Sequence, residues 1–347
     1  MLDLLYVVII SQLGRGFRNE VDTNPWVAFR DFAALFIPMW YSWFLTVRFL
    51  NMFDTRDVVF VLYFLINVIW LCLAGISAER CGTAGLRDGC STFAFAMSGF
   101  RLTGVLYFIY VWYFNQEYKK LLIYYQCGFL GFISLCWLVV GFSPSEDQCG
   151  NSINNCYDVF IVFWWLAVFA ECLQFLIYNI LMIKTGFTHS PRELIPLDLK
   201  LFVERMELFI IISIGEIITA SLASSSPLDE DDEESKSVRS AFPVVLILLL
   251  AAFVKLSYFD MNVQPEVAGQ RVEGTKHALA SSSLTGSLWC TGHCFLNLSI
   301  VVLGSTMEHL KEHEHISRNS LWCASIALAF IIFFVQLFDV LHAGMNY

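Results

Sequence analysis

Apolar residues in this chain come in long unbroken runs, separated by short polar stretches. Ten runs stand out, at residues 2–13, 27–49, 58–76, 92–115, 119–142, 157–183, 201–224, 241–260, 277–304 and 321–341. A helix rises about 1.5 Å per residue, so about 20 apolar residues cross the hydrocarbon of a bilayer. Strands of a membrane barrel would instead alternate apolar and polar positions in segments of about ten, and these runs do not. The pattern predicts an all-α fold, a polytopic transmembrane helix bundle of about ten spans in one membrane domain. The first run is short and carries Asp3 almost at its start. It reads as a span whose beginning is missing, and the chain as a fragment. No basic segment precedes it, so it does not read as a cleavable signal peptide.

Composition sharpens this picture. Of 347 residues, 57% are hydrophobic and 15% charged, and the mean hydropathy is +0.62. A soluble domain carries nearer a quarter charged residues. The lipid bilayer is therefore the expected partner. The net charge of −10 argues against nucleic acid. Lys and Arg are shared almost evenly between alternate loops, so they do not fix orientation. Cysteines do more. Cys81 and Cys90 lie in the loop after the third run, Cys149 and Cys156 in the loop after the fifth. Paired loop cysteines suit an oxidising compartment, and the acidic LDEDDEE loop falls on the same side. Loops after odd-numbered spans are expected to be extracytoplasmic, in a plasma membrane or endomembrane. Cys81–Cys90 and Cys149–Cys156 are the disulfide candidates, with cross-pairing as an alternative.

The most highly charged of the apolar runs is 201–224, LFVERMELFIIISIGEIITASLAS, with Glu204, Arg205, Glu207 and Glu216. A charge at bilayer depth costs at least a few kcal/mol unless it faces a bundle interior or a cavity. Arg205 and Glu216 are separated by about 20° around a helix and about 16 Å along it. Gly215 is expected to let another backbone approach closely. Arg101, Glu171, Lys255 and His293 add to this set from other runs. Two readings are open. The set forms an ion or proton pathway, or it forms static ion pairs that fix helix packing. Buried pairs add little net stability, so stability alone does not explain so many.

Three blocks of the chain resemble the bacterial low-temperature-requirement A (LtrA) family. They are LDLLYVVIISQLGRGF, FIPMWYSWFLTVRFLNMFDTRD and VERMELFIIISIGEIITA. The last resembles the family's E-R-x-x-L-F-x-I-I-x-x-G-E signature, which falls on Glu204, Arg205, Gly215 and Glu216. The resemblance runs to about Glu308 and implies a multi-pass membrane fold. It implies little about activity. SWFLTVRFLNMFD also resembles AAFVKLSYFDMN six spans later. Such an offset suits two parallel repeats, with halves at 1–200 and 201–347 and about twelve spans in a full protein. Chance likeness between apolar helices is the alternative.

Two further clusters carry candidate chemistry. Arg48, Asn51, Asp54 and Asp57 lie where the second span ends. They suit either a gate or a helix cap, and the cap is the simpler reading. His309 and His313 share a helical face in EHLKEHEH, which makes them weak metal candidates lacking a third ligand. No phosphate loop, dinucleotide fingerprint or nucleophile elbow is present, so no cofactor and no enzyme activity is expected. The function expected is transport or conduction of a proton, an ion or a small solute. A structural or adaptor role and an intramembrane enzyme are the alternatives.

Overall fold

A computed structural model describes residues 2–52, 58–83, 90–114, 120–143, 153–184, 199–223, 233–261, 283–312 and 317–343. Among them are ten helices and no strand: α1 (Leu2–Glu20), α2 (Pro25–Met52), α3 (Val58–Thr83), α4 (Cys90–Phe114), α5 (Lys120–Phe142), α6 (Ile153–Lys184), α7 (Leu199–Ala223), α8 (Glu233–Met261), α9 (Ser283–Glu312) and α10 (Arg318–Ala343). Six stretches within them are long and apolar enough to cross a membrane: Pro25–Met52, Val58–Ala78, Cys90–Phe114, Tyr125–Phe142, Leu284–His309 and Arg318–Leu341.

The exposed faces identify the solvent as lipid. On α3, Val58, Leu62, Leu65, Ile69, Leu73 and Ile76 are exposed at three- and four-residue spacing. The opposite face buries Phe60, Tyr63, Asn67, Leu71, Ala74 and Ala78. In water this stripe would be a large apolar patch. α10 repeats the arrangement, exposing Trp322, Ile326, Phe330 and Phe333 while burying Ser320, Ala324, Ala327 and Ile331. α2 differs: 89% of its span is buried, against 33% for α3. It is a core helix, which accounts for its density of Trp40, Tyr41, Trp43 and Phe44, all buried.

α2 starts on an Asn–Pro step. Asn24 Oδ1 accepts from Val27 N at 3.3 Å, an N-cap followed by proline at the first helical position. Hydroxyls inside the helices bond back one turn, as Thr46 to the Ser42 carbonyl, Ser299 to Phe295 and Thr306 to Val302. That pattern satisfies a polar side chain within apolar surroundings.

The chain divides into two compact units. One comprises Met1–Leu13 and Asp31–Arg205, the other Gly14–Arg30 and Met206–Tyr347. In the first, α3 packs on α4, α4 on α5 and α5 on α6. Ser98 and Ser134 join α4 to α5 by bonding each other's carbonyls at 2.9 and 3.1 Å. In the second, α10 packs on α9 and α8. There Gly304 of α9 meets α7: a Cβ on it would lie 3.0 Å from Ile217 Cγ1 and 3.2 Å from Ile217 Cα. Gly215, expected to serve this purpose, has nothing among the described residues within 4 Å of its Cβ position. The close approach is made by the partner helix's glycine instead.

Candidate functional site

The first unit buries a complete ion pair. Arg101 of α4 and Glu171 of α6 are 1% and 0% exposed. Glu171 Oε1 accepts from Arg101 Nε at 3.1 Å and Nη2 at 2.8 Å. It also accepts from the Trp137 indole at 3.2 Å. Arg101 Nη1 donates to Ser42 Oγ at 3.0 Å and Nη2 to the Pro38 carbonyl at 3.2 Å. Ser42 in turn donates to that same carbonyl. The guanidinium carbon lies 5.1 Å from the Phe100 ring centre. One carboxylate oxygen thus gathers every bond. Oε2, equally buried, accepts none from the described residues.

The local sequence explains this placement. Arg101 shares the inward face of α4 with Met97, Ser98 and Gly104, residues small or pliable enough to leave room for a guanidinium. Aromatic rings close the other side: Trp137 stands edge-on to Trp164 at 4.9 Å, and Phe93 stacks on Trp164 at 5.7 Å. Such a wall excludes water and strengthens the charge interaction it surrounds.

A second ion pair joins the three family-like blocks. Asp3 Oδ2 accepts from Arg205 Nη1 at 3.2 Å, and Asp3 Oδ1 accepts from the Trp43 indole at 3.2 Å. Asp3 comes from LDLLYVV, Trp43 from FIPMWYSWF and Arg205 from VERMELF. The side chains of Arg205 and Asp3 are 43% and 22% exposed, whereas the Arg101–Glu171 pair is at 2% and 0%. Tyr6, one turn along α1 from Asp3, is buried.

The second unit holds different polar groups. Glu216 is buried on α7, with its Oε1 3.9 Å from where a Cβ on Gly14 would sit; Ser305 Oγ is 2.7 Å from that point. Ser213 donates to Asn297 Oδ1 at 2.7 Å, and Asn297 Nδ2 donates to the His293 carbonyl at 2.7 Å. His293 is fully buried. Its Nδ1 faces the Trp289 carbonyl at 2.7 Å and its Nε2 the Tyr258 hydroxyl at 2.8 Å. A carbonyl only accepts, so Nδ1 carries the proton, and a neutral ring then accepts from tyrosine.

At the end of α9, His309 meets Asp22 Oδ2 at 2.6 Å. Ser320 donates to Asp22 Oδ1 at 3.1 Å, and Asn319 to the Asp22 carbonyl at 3.0 Å. Arg18 pairs with Glu308 beside them.

Two expected members of the polar centre lie elsewhere. Lys255 is exposed, because α8 turns Ala251, Val254 and Tyr258 inward and leaves Phe253, Lys255 and Leu256 outside. Glu204 is exposed as well, opposite the buried Phe202 and Met206 of α7. Glu207 is half-buried. Arg48 and Asn51 are half-buried on the last turns of α2. Their expected companions Asp54 and Asp57, with Cys149 and His313, lie outside the described residues, as does the side chain of Cys156. Cys81 and Cys90 are disulfide-bonded, with Cα atoms 4.7 Å apart. Among the described residues no three His, Cys, Asp or Glu side chains gather as a metal ligand set.

Sequence reasoning missed Asp22, Trp137 and Asn297 as partners. Asn297 had a visible signal, an amide in the apolar CFLNLSIVV run. Trp137 had none, since one Trp among many aromatics is not distinguished by sequence.

These features define an integral membrane protein of the polytopic helical class, with a buried Arg–Glu pair inside one unit. The model of the Bacterial low temperature requirement A protein (LtrA) family matches residues 2–346, and the chain belongs to that family. No curated protein and no solved structure gives a significant match.

Proposed function

We propose that this LtrA family member transports or conducts a proton, an inorganic ion or a small solute, using the Arg101–Glu171 pair as its buried polar centre. The observation that carries this reading is the asymmetry of Glu171. One oxygen holds Arg101 and Trp137, while the other accepts nothing from the described residues. A buried polar atom without a partner normally marks strain, function or a water or ion. Here it leaves an oxygen that can take up a proton or meet a cargo without releasing Arg101. Static pairing is the second reading, favoured by the three acceptors that hold Arg101. Neither reading calls for catalysis. The disulfide end of α3 and α4 is proposed to face the oxidising side of a plasma membrane or endomembrane.

The test is proton flux into proteoliposomes holding an internal pH dye, driven by a potassium diffusion potential. Glu171→Gln keeps the shape and the Trp137 acceptor but cannot carry a proton in the same way. Flux in wild type that falls about tenfold or more in a monodisperse Glu171→Gln variant is the expected result. Equal flux in the two proteins would remove Glu171 from the pathway. A variant that loses folded yield, with no flux in either protein, would favour static pairing.

A further inference from the structure

The Arg101–Glu171 pair leaves one open position of each sign. An arginine carries five N–H donors. Nε and one hydrogen of Nη2 go to Glu171 Oε1, the other Nη2 hydrogen to the Pro38 carbonyl, and one hydrogen of Nη1 to Ser42 Oγ. The second Nη1 hydrogen meets no acceptor among the described residues, just as Glu171 Oε2 meets no donor. Ser42 and Pro38 are neutral acceptors on α2, so they hold Arg101 whatever the charge on Glu171. The guanidinium itself stays protonated throughout. Among the described residues of this unit, Asp31 is the other buried charge. It lies seven residues before Pro38 on α2, about 10 Å along the axis. Arg205 and Asp3 pair with each other. The remaining titratable groups buried in the unit, Tyr6, Tyr41, Tyr63, Tyr107 and Cys136, are phenols and a thiol, which carry no charge near neutral pH.

These groups set the charge that the site can hold. As a carboxylate, Glu171 cancels Arg101, and the charge of the pair sums to zero. A proton on Oε2 alone would leave the guanidinium uncompensated behind the Trp137–Trp164 wall, and a buried charge stripped of its partner is strongly destabilising. Taking Glu171, from the transport reading above, as the group that gains a proton, we propose that the pair is a binding site for a small monovalent inorganic anion. The anion enters as Glu171 is neutralised and sits on the open Nη1 hydrogen of Arg101. The charges then balance: the proton on Oε2 adds one, the anion removes one, and the site returns to zero. Both open positions are filled, and no bond from Arg101 to α2 has to break. The aromatic wall also sets a preference. Dry surroundings hold a charge only when it is paired and hydrogen-bonded. They therefore favour an anion that sheds its water readily, such as nitrate, over a strongly hydrated one.

The experiment measures the melting temperature of the full chain in detergent, in potassium nitrate against potassium gluconate at equal ionic strength. Gluconate is a bulky organic anion and serves as the blank. Glu171→Gln mimics the protonated acid, since its side chain is neutral at every pH. Nitrate should raise the melting temperature of this variant by about 2 °C or more over gluconate at neutral pH. Wild type, in which the Glu171 carboxylate already balances Arg101, should show no such rise. The double variant Arg101→Met with Glu171→Gln lacks both charges and should show none either. A nitrate effect in Glu171→Gln no larger than in wild type would overturn the site. An equal rise in the double variant would overturn it too, by placing the anion elsewhere. The readout is stability rather than flux, so failure of the site leaves the transport reading standing, and failure of that reading shows in the proteoliposomes alone. If Glu171→Gln is not recovered folded, wild type in acid decides. A nitrate rise that grows as pH falls in wild type, and not in the double variant, upholds the site; equal rises in the two at every pH overturn it.

Discussion

The Asp22 carboxylate sits in the turn between α1 and α2, outside the spans. Its titration is a direct readout of how the second unit closes that turn. Burial alone would raise its pKa. The hydroxyl of Ser317, the bond to His309 and its charge, and the hydroxyl of Ser320 together outweigh that and hold it below the ordinary aspartate value. A group whose folded pKa is depressed adds stability above its unfolded pKa and loses it as pH falls through the folded value. The melting temperature should therefore drop as pH falls below about 3.9, the unfolded value. Asp22→Asn should show a lower melting temperature than wild type at neutral pH and converge with it in acid. The side chain is 43% exposed, so solvent screens the contribution and the gap should be modest. Scanning fluorimetry of the detergent-solubilised protein against pH tests this. Parallel curves for the two proteins down to the acid limit would mean that Asp22 holds nothing.

At the level of elements, the helices were legible because runs of apolar residues leave few alternatives. Which face of each helix turns inward was less so. α3 is apolar on every face apart from a few polar residues such as Asn67 and Ser77, so packing more than pattern separates its Ile69 face, which meets lipid, from its Leu71 face. The glycines show the same limit. Gly215 stands beside a buried acid in a family signature and looked like the contact, yet Gly304 makes it. Nothing in either helix's own sequence states which partner it meets. The two positions should therefore respond differently. Gly304→Val places atoms within 3.0–3.2 Å of Ile217 and should cost about 1–3 kcal/mol through overpacking. Gly215→Ala meets nothing among the described residues and should change stability by no more than about 1 kcal/mol, toward stabilisation, through helix propensity. Melting temperatures of the two variants in one detergent decide it, and a Gly215→Ala variant less stable than Gly304→Val would reverse the assignment.

Across the whole molecule, charged residues within apolar runs flagged a polar centre, but their partners were hidden by distance along the chain. Arg101 and Glu171 are 70 residues apart, and Asp3 and Arg205 are 202 apart. Arg205 was visible as a buried-run charge, whereas Asp3 read only as an odd start to a short span. Loop cysteines were different, because closing a short loop is a local matter. Cys81 and Cys90 are nine residues apart and tie the end of α3 to the start of α4. In the chain-entropy account a loop of this size contributes about 2–3 kcal/mol. That contribution depends on the compartment, since a reducing environment removes it. Protein purified without reductant should yield a linked peptide containing both residues on digestion and mass spectrometry. Reductant should lower its melting temperature, and Cys81→Ser should already sit lower. If reductant then lowers Cys81→Ser as far as it lowers wild type, the lost stability belongs to another bond. Free thiols at both positions in protein taken directly from the membrane would place this end of α3 and α4 on the reducing side, reversing the proposed orientation.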